Sequence, residues 1–333
     1  MRIMITGVAG FIGSNLAQHL LTQGHEIIGI DNMSQGEPLN MASFKEHENF
    51  HFHEADIMNL DDMISLSEGC DMIVHMAAYK IPRYSDALDT LHINGFGTDN
   101  VAKAAVKHGI KIVAASTSDV YGKNPQIPFS ETSNLVVGNP DVRRWAYAIS
   151  KMYEEQLLFA YRERYEIPVV LLRFFGGYGP NQNLTWWGGP QSVFINKALD
   201  DEVIPIHGDG MQTRSFTYIA DHVEGITRCM MMDEANNQVF NIGNDYEITI
   251  RDLAFLIWRL VRGEDSEPKV EFIPYETFGK YEDVRRRVPN KTHAKAVLGF
   301  EASMPLEDGL KQTIQWQIER RRLLGIDTMD VTF

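Results

Sequence analysis

Three glycines spaced G-x-x-G-x-x-G, Gly7, Gly10 and Gly13, fall between an apolar run at 2–6 and a helical pattern at 11–23. No other feature restricts the fold as much. Gly7 permits a tight strand-to-helix turn, Gly10 lets a pyrophosphate approach the backbone, and Gly13 allows close helix–strand packing. The helix N-terminus beyond them offers unpaired N–H groups and the positive end of its dipole to an anion. Further apolar runs at 26–30, 50–54, 72–75, 111–115 and 169–173 alternate with helical patterns at 60–68, 86–108 and 145–165. Such alternation predicts an α/β fold, a doubly wound parallel sheet with helices on both faces.

After residue 173 the pattern loosens. Gly176, Gly177, Gly179 and Pro180 break regularity, and Trp186-Trp187-Gly188-Gly189-Pro190 reads as a loop. A strand and helix within 213–232 and a strand at 239–242 are expected to return to the main sheet. The 333 residues then divide into a Rossmann dinucleotide-binding domain, 1–176 plus about 213–244, and a smaller C-terminal α/β substrate lobe, 177–212 and 245–333. An amphipathic helix at 306–324 ends in Arg320, Arg321 and Arg322, which suit the negative end of its dipole better than a ligand.

Acidic residues number 45 against 31 basic, a net charge of −14, which argues against non-specific binding to nucleic acid or an anionic membrane. An anionic substrate must therefore meet locally placed arginines. Cys70 and Cys229 are the two cysteines, too few for a disulfide framework and without metal-ligand spacing, so no metal is expected. No apolar run approaches membrane-spanning length, and Met1 leads directly into an apolar strand, so the cytoplasm is the expected compartment. The helices at 86–108 and 145–165 carry aliphatic and aromatic positions at helical spacing. Such faces pack into a core or, where they protrude, pair as a four-helix contact of a homodimer.

Asp31 ends the second strand, where a carboxylate can bond the adenosine ribose hydroxyls. Asn32 and Met33 follow, with no arginine for a 2′-phosphate, which favours NAD over NADP. Asp56 and Ile57 follow the third strand and suit either an adenine edge or a helix cap. Tyr147 and Lys151 are four apart and share one helical face. An ammonium there can lower the pKa of a phenol that is normally about 10, and a phenolate beside a nicotinamide can take the proton of a sugar hydroxyl.

These residues, together with His75-Met76-Ala77-Ala78, Asn94, Ser116-Thr117-Ser118-Asp119-Val120-Tyr121-Gly122, Arg173-Phe174-Phe175-Gly176-Gly177-Tyr178-Gly179-Pro180, the run from Gly208 to Asp221 and Asn241-Ile242-Gly243, resemble the extended short-chain dehydrogenase/reductase family. Its members include the nucleotide-sugar epimerases and dehydratases. The resemblance implies NAD lying against Gly7, Gly10, Phe11, Ile12, Gly13, Asp31, Asn32, Asp56, Ile57, Ala77, Ala78, Lys80, Asn94 and Ser116, with Tyr147 and Lys151 at the nicotinamide. It implies Tyr147 as base at the sugar C4 hydroxyl, Lys151 holding the ribose and lowering the phenol pKa, and Thr117 bonding the C4 oxygen. For a nucleoside-diphosphate sugar, with uridine inherited from the family, it implies Arg214 on the diphosphate, Arg285 or Arg287 as a second grip, and Gly176 and Gln191 in the pocket. Arg285–Arg287 read equally well as a solvated run.

Several positions depart from the family pattern. Decarboxylases and 4,6-dehydratases carry an acid, usually Glu, one or two places after the catalytic Thr; here Ser118 and Asp119 stand there, and Asp is shorter by one methylene. Gly176 stands where many epimerases have Asn. The paired tryptophans suit stacking on a base or sugar, or a plug between lobes, and Arg143-Arg144 suit a substrate carboxylate or the surface. The expectation is a UDP-sugar 4-epimerase acting through a transient 4-keto sugar. The alternatives are a UDP-glucuronate decarboxylase, a 4,6-dehydratase, or a non-catalytic NAD-binding regulator.

Overall fold

The computed structural model describes residues 1–80 and 86–333. The first half runs β1 (Arg2–Thr6), α1 (Phe11–Thr22), β2 (Glu26–Asp31), β3 (Phe50–Glu54), α2 (Leu60–Leu66), β4 (Met72–His75), α3 (Ala87–His108), β5 (Lys111–Thr117), α4 (Trp145–Tyr165) and β6 (Val169–Phe174). There follow β7 (Gly177–Tyr178), α5 (Pro190–Leu199), β8 (Ile204–His207), β9 (Thr213–Ser215), β10 (Thr217–Tyr218), α6 (Ile219–Met231) and β11 (Val239–Ile242). The chain closes with β12 (Glu247–Thr249), α7 (Ile250–Arg262), β13 (Val270–Ile273), β14 (Arg286–Arg287), α8 (Thr292–Leu298) and α9 (Leu306–Leu323).

Seven strands form one parallel sheet in the order β3-β2-β1-β4-β5-β6-β11. Its direction of growth reverses between β1 and β4, and such a switch opens a crevice beyond the carboxyl ends of the strands. Both faces are buried, which is why the strands read as continuous apolar runs rather than alternating ones. Ile3 and Ile5 join Leu16 and Leu20 of α1 and Ile226 of α6 in one core cluster. Met4, between them, belongs to the opposite cluster with Val101 and Ala105 of α3 and Leu158 of α4. Each of these Ile, Leu, Val and Met side chains contributes about 1.5–3 kcal/mol by leaving water.

Two readings from the sequence change here. β5 continues to Thr117 because Ser116 and Thr117 pair with Arg173 and Phe174 of β6; this carries both hydroxyls to the crevice. The strand at 213–215 does not return to the main sheet: the place beside β6 is filled by β11, and β9 pairs instead with β12 and β14. Helices α5, α7 and α9 and the parallel pair β8–β13 build the remainder of the second lobe.

Candidate active site

The crevice contains a cavity of about 750 Å³, walled by the glycine turn, the ends of β4 and β5, the first turns of α4, and the 181–191 loop. A smaller one of about 140 Å³ adjoins it, bounded by Asp31, Asn32, Asp56, Ile57, Ala77 and Ala78. The glycine turn fits a pyrophosphate. Gly7 has φ +72°, and a Cβ there would stand 2.7 Å from the Ala77 nitrogen; on Gly13 it would stand 2.2 Å from the Gly7 carbonyl oxygen. No side chain caps the N-terminus of α1, so its first N–H groups are available to an anion.

The Asp31 carboxylate accepts from the Ala9 and Met33 N–H groups, each at 3.0 Å, and so ties the turn to β2. Burial raises its pKa against those two bonds. Asn32 donates to Asp56 at 2.9 Å. Asn94 lines neither cavity. Its amide brackets the Tyr79 backbone, accepting at 2.7 Å and donating at 3.0 Å, so it braces the segment bearing Ala78 and Lys80. Ser116 lines the crevice but donates to Glu155 at 2.5 Å. Glu155 also takes two bonds from Arg173, at 2.9 and 2.7 Å, wholly buried; that fork locks α4 against β6.

Tyr147, Lys151, Thr117, Ser118, Asp119 and Lys80 all line the large cavity. Thr117 bonds the Tyr147 hydroxyl, which favours the phenolate, but burial, then the charges of Asp119 and Glu154, push that phenol well above its ordinary value. The expected depression by Lys151 is absent. Lys151 donates to the Ala115 carbonyl at 3.0 Å and pairs with Glu154 at 2.8 Å, so its charge is spent on a neighbouring carboxylate that spacing alone did not single out.

In the same cavity, Asp119 pairs with Arg287 at 2.6 Å and Arg144 at 3.1 Å. Burial alone would raise the Asp119 pKa; Arg287, then Arg144, outweigh it and hold the carboxyl below its usual range. Arg214 is half-buried behind them, 3.2 Å from Asp283. Arg285 stands outside: it is 64% exposed and forks onto Asp209. Arg143 is likewise exposed while its neighbour Arg144 reaches the cavity.

Gly176 and Gln191 line the cavity, and the Gln191 Nε2, wholly buried, has no partner within the protein. Such a group calls for a ligand or water. Trp186 stacks on His207 at 4.4 Å and meets Phe194 edge-on, while Trp187 meets Tyr79 edge-on, and both tryptophans line the cavity. Arg320 stands in the last turn of α9, as the dipole reading has it, but it is also 7% exposed, lines the cavity, and donates to Asn40 and Asn181. Nothing local in the helical pattern marks it, because the partners lie some 140 and 280 residues away.

The description "NAD dependent epimerase/dehydratase family" belongs to a family model that matches residues 3–243. The chain belongs to this family. It is 35% identical over 323 residues to a UDP-N-acetyl-alpha-D-glucosaminuronate decarboxylase of Bacillus cytotoxicus, covering 95% of this chain and 97% of that one. It is 34% identical to UDP-glucuronic acid decarboxylase 1 of Danio rerio, over 95% of this chain and 72% of the relative. Among solved structures, the UDP-glucuronic acid 4-epimerase of Bacillus cereus with UDP-glucuronic acid and NAD superposes with a TM-score of 0.86 at 27% identity, covering 96% and 100% of the two chains. The UDP-glucose 4-epimerase of Thermotoga maritima gives 0.85 at 29% identity, covering 97% and 100%. This family member is a nucleotide-sugar-modifying enzyme that uses NAD.

Proposed function

We propose that the protein acts on a UDP-linked uronic acid, oxidising C4 and then releasing the C6 carboxyl as carbon dioxide. The observation that carries this reading is the convergence of Arg287 and Arg144 on Asp119 in the cavity that Tyr147 and Thr117 also line. In a chain of net charge −14, two guanidiniums in one buried spot suit a substrate carboxylate.

NAD, when bound along the glycine turn, would supply removal of hydride from C4 and, once carbon dioxide has left and C5 is protonated, its return to C4, where Tyr147 gives its proton back to the oxygen and a pentose results. Tyr147 takes the C4 hydroxyl proton as the carbonyl forms, and Thr117 bonds that oxygen. The 4-keto uronate is a β-keto acid. Its C5–C6 bond breaks heterolytically, the electron pair passes into the C4 carbonyl as an enolate, and carbon dioxide departs. C5 then needs a proton. Asp119 cannot hold one while both arginines face it; a substrate carboxylate that draws off Arg287 removes the strongest influence keeping Asp119 acidic and readies it to donate.

The second reading is inversion at C4 with the carboxyl retained. It is favoured by the ionised state of Asp119, which binds a uronate's arginines without offering C5 a proton. Incubation with UDP-glucuronate and UDP-N-acetylglucosaminuronate, followed by NMR and trapped carbon dioxide, separates the two. Carbon dioxide with a pentose product supports decarboxylation; a C4 epimer with no gas release overturns it. We also propose a homodimer through α3 and α4, whose outer face exposes Leu88, Phe96, Ile149 and Tyr153; a monomer in sedimentation would refute this.

A further inference from the structure

Glu154 lies one helical turn beyond the catalytic lysine, 3% exposed, with no part in the proposed reaction. Its Oε2 is the end of a chain of hydrogen bonds whose direction can be worked out. The Ala77 N–H donates to Thr6 Oγ1 at 3.2 Å, so the Thr6 hydroxyl is free to donate to His75 Nδ1 at 2.7 Å. Burial and the nearby Lys151 charge push His75 down to about 3, so it is neutral and its proton sits on Nε2. That N–H donates to Thr98 Oγ1 at 3.0 Å, and Thr98 donates onward to Glu154 at 3.1 Å. Lys151 donates to the same oxygen at 2.8 Å, while Oε1 is buried and has no partner. Every donor in this wire points towards one carboxylate. A group that collects two donors on one oxygen and leaves the other bare is unlike a structural salt bridge satisfied on both sides, such as Glu155 with Arg173.

We propose that Glu154 is a positioning residue for the Tyr147–Lys151 pair: its carboxylate fixes the Lys151 ammonium and offsets its charge, and so sets the pH above which Tyr147 works as a base. This rests on the role given to Tyr147 in the proposed function. The other charged or titratable groups around the pair are Glu155 on α4, tied to Arg173 of β6; His75 on β4; Lys80 after β4; and Asp119 after β5, held by Arg287 and Arg144. Among the described residues, the ammonium pairs with Glu154, at 2.8 Å.

The test compares pH profiles of kcat/KM for the unaltered enzyme, Glu154→Gln and Tyr147→Phe. Replacing the carboxylate by its neutral isostere leaves the ammonium unopposed, and the acid limb is expected to move down by about one pH unit, or roughly tenfold in relative rate below the original limb. A limb that stays in place while activity falls equally at every pH overturns the inference. Turnover that survives in Tyr147→Phe sinks the tyrosine's role itself, so the two failures are distinguishable. If Glu154→Gln does not fold, Glu154→Asp decides instead, because it keeps the charge but draws it back from the Lys151 ammonium: an acid limb that moves down by less than about one pH unit supports the inference, and a limb that stays in place overturns it.

Discussion

Replacing Arg287 by glutamine tests the substrate assignment most directly. Its guanidinium is 14% exposed and 2.6 Å from Asp119, with Arg144 at 3.1 Å on the same oxygen. A hydrogen bond to a charged group contributes about 1.5–3 kcal/mol. Losing it from a bound uronate therefore weakens affinity by about one to two orders of magnitude, at 1.4 kcal/mol per factor of ten. Arg144 remains, so the loss stops short of the roughly 3–5 kcal/mol seen when a buried charge is stranded altogether. Asp119 also rises towards its ordinary range, since Arg287 is the chief influence lowering it. Calorimetry with UDP-glucuronate and UDP-glucose reads the difference: the uronate is expected to lose about ten- to a hundredfold and the neutral sugar little. Equal losses on both ligands would refute the idea that this arginine meets a carboxylate.

Tyr147→Phe is expected to abolish turnover while NAD affinity stays close to that of the unaltered protein; retained turnover would remove the phenol from the chemistry. Gly13→Ala puts a Cβ 2.2 Å from the Gly7 carbonyl oxygen and 2.9 Å from the Val8 Cα, backbone that cannot yield without reshaping the turn. NAD binding should be lost and stability should fall by about 1–3 kcal/mol; fluorescence titration showing ordinary NAD affinity would contradict the cradle. Burial lowers the His222 pKa from 6.5 to about 4. Between those values the unfolded chain binds the extra proton, so stability is whole above 6.5 and declines as pH falls towards 4, by about 1.4 kcal/mol per unit. Urea midpoints measured across that window should flatten in His222→Gln, and an unchanged slope would assign the loss elsewhere.

The features that were legible in the sequence are local ones. A G-x-x-G-x-x-G turn between a strand and a helix has few ways to be built, and the structure places Gly7 at φ +72° against Ala77. A four-residue spacing puts Tyr147 and Lys151 on one face of α4 whatever else surrounds them. The alternation of strand and helix likewise led to the parallel sheet. Strand ends were less legible: β5 runs two residues past its apolar stretch because β6 supplies hydrogen-bond partners for Ser116 and Thr117.

Everything that depends on a charge finding its partner was decided by the tertiary structure. Arg285 and Arg287 are indistinguishable in composition, yet the first forks onto Asp209 outside the cavity and the second pairs with Asp119 within it. Arg144, rather than Arg143, lines the cavity, and Arg320 reaches it from the last helix by bonding Asn40 and Asn181. The balance at Tyr147 was likewise hidden, because helical spacing marks the Lys151 ammonium but not the Glu154 carboxylate paired with it. The sequence alone thus determined backbone geometry and helical phase, which arise from sterics between near neighbours. Which ionic groups meet, and at what proton affinity, depended on burial and on contacts between distant segments, and those exist only once the chain has folded.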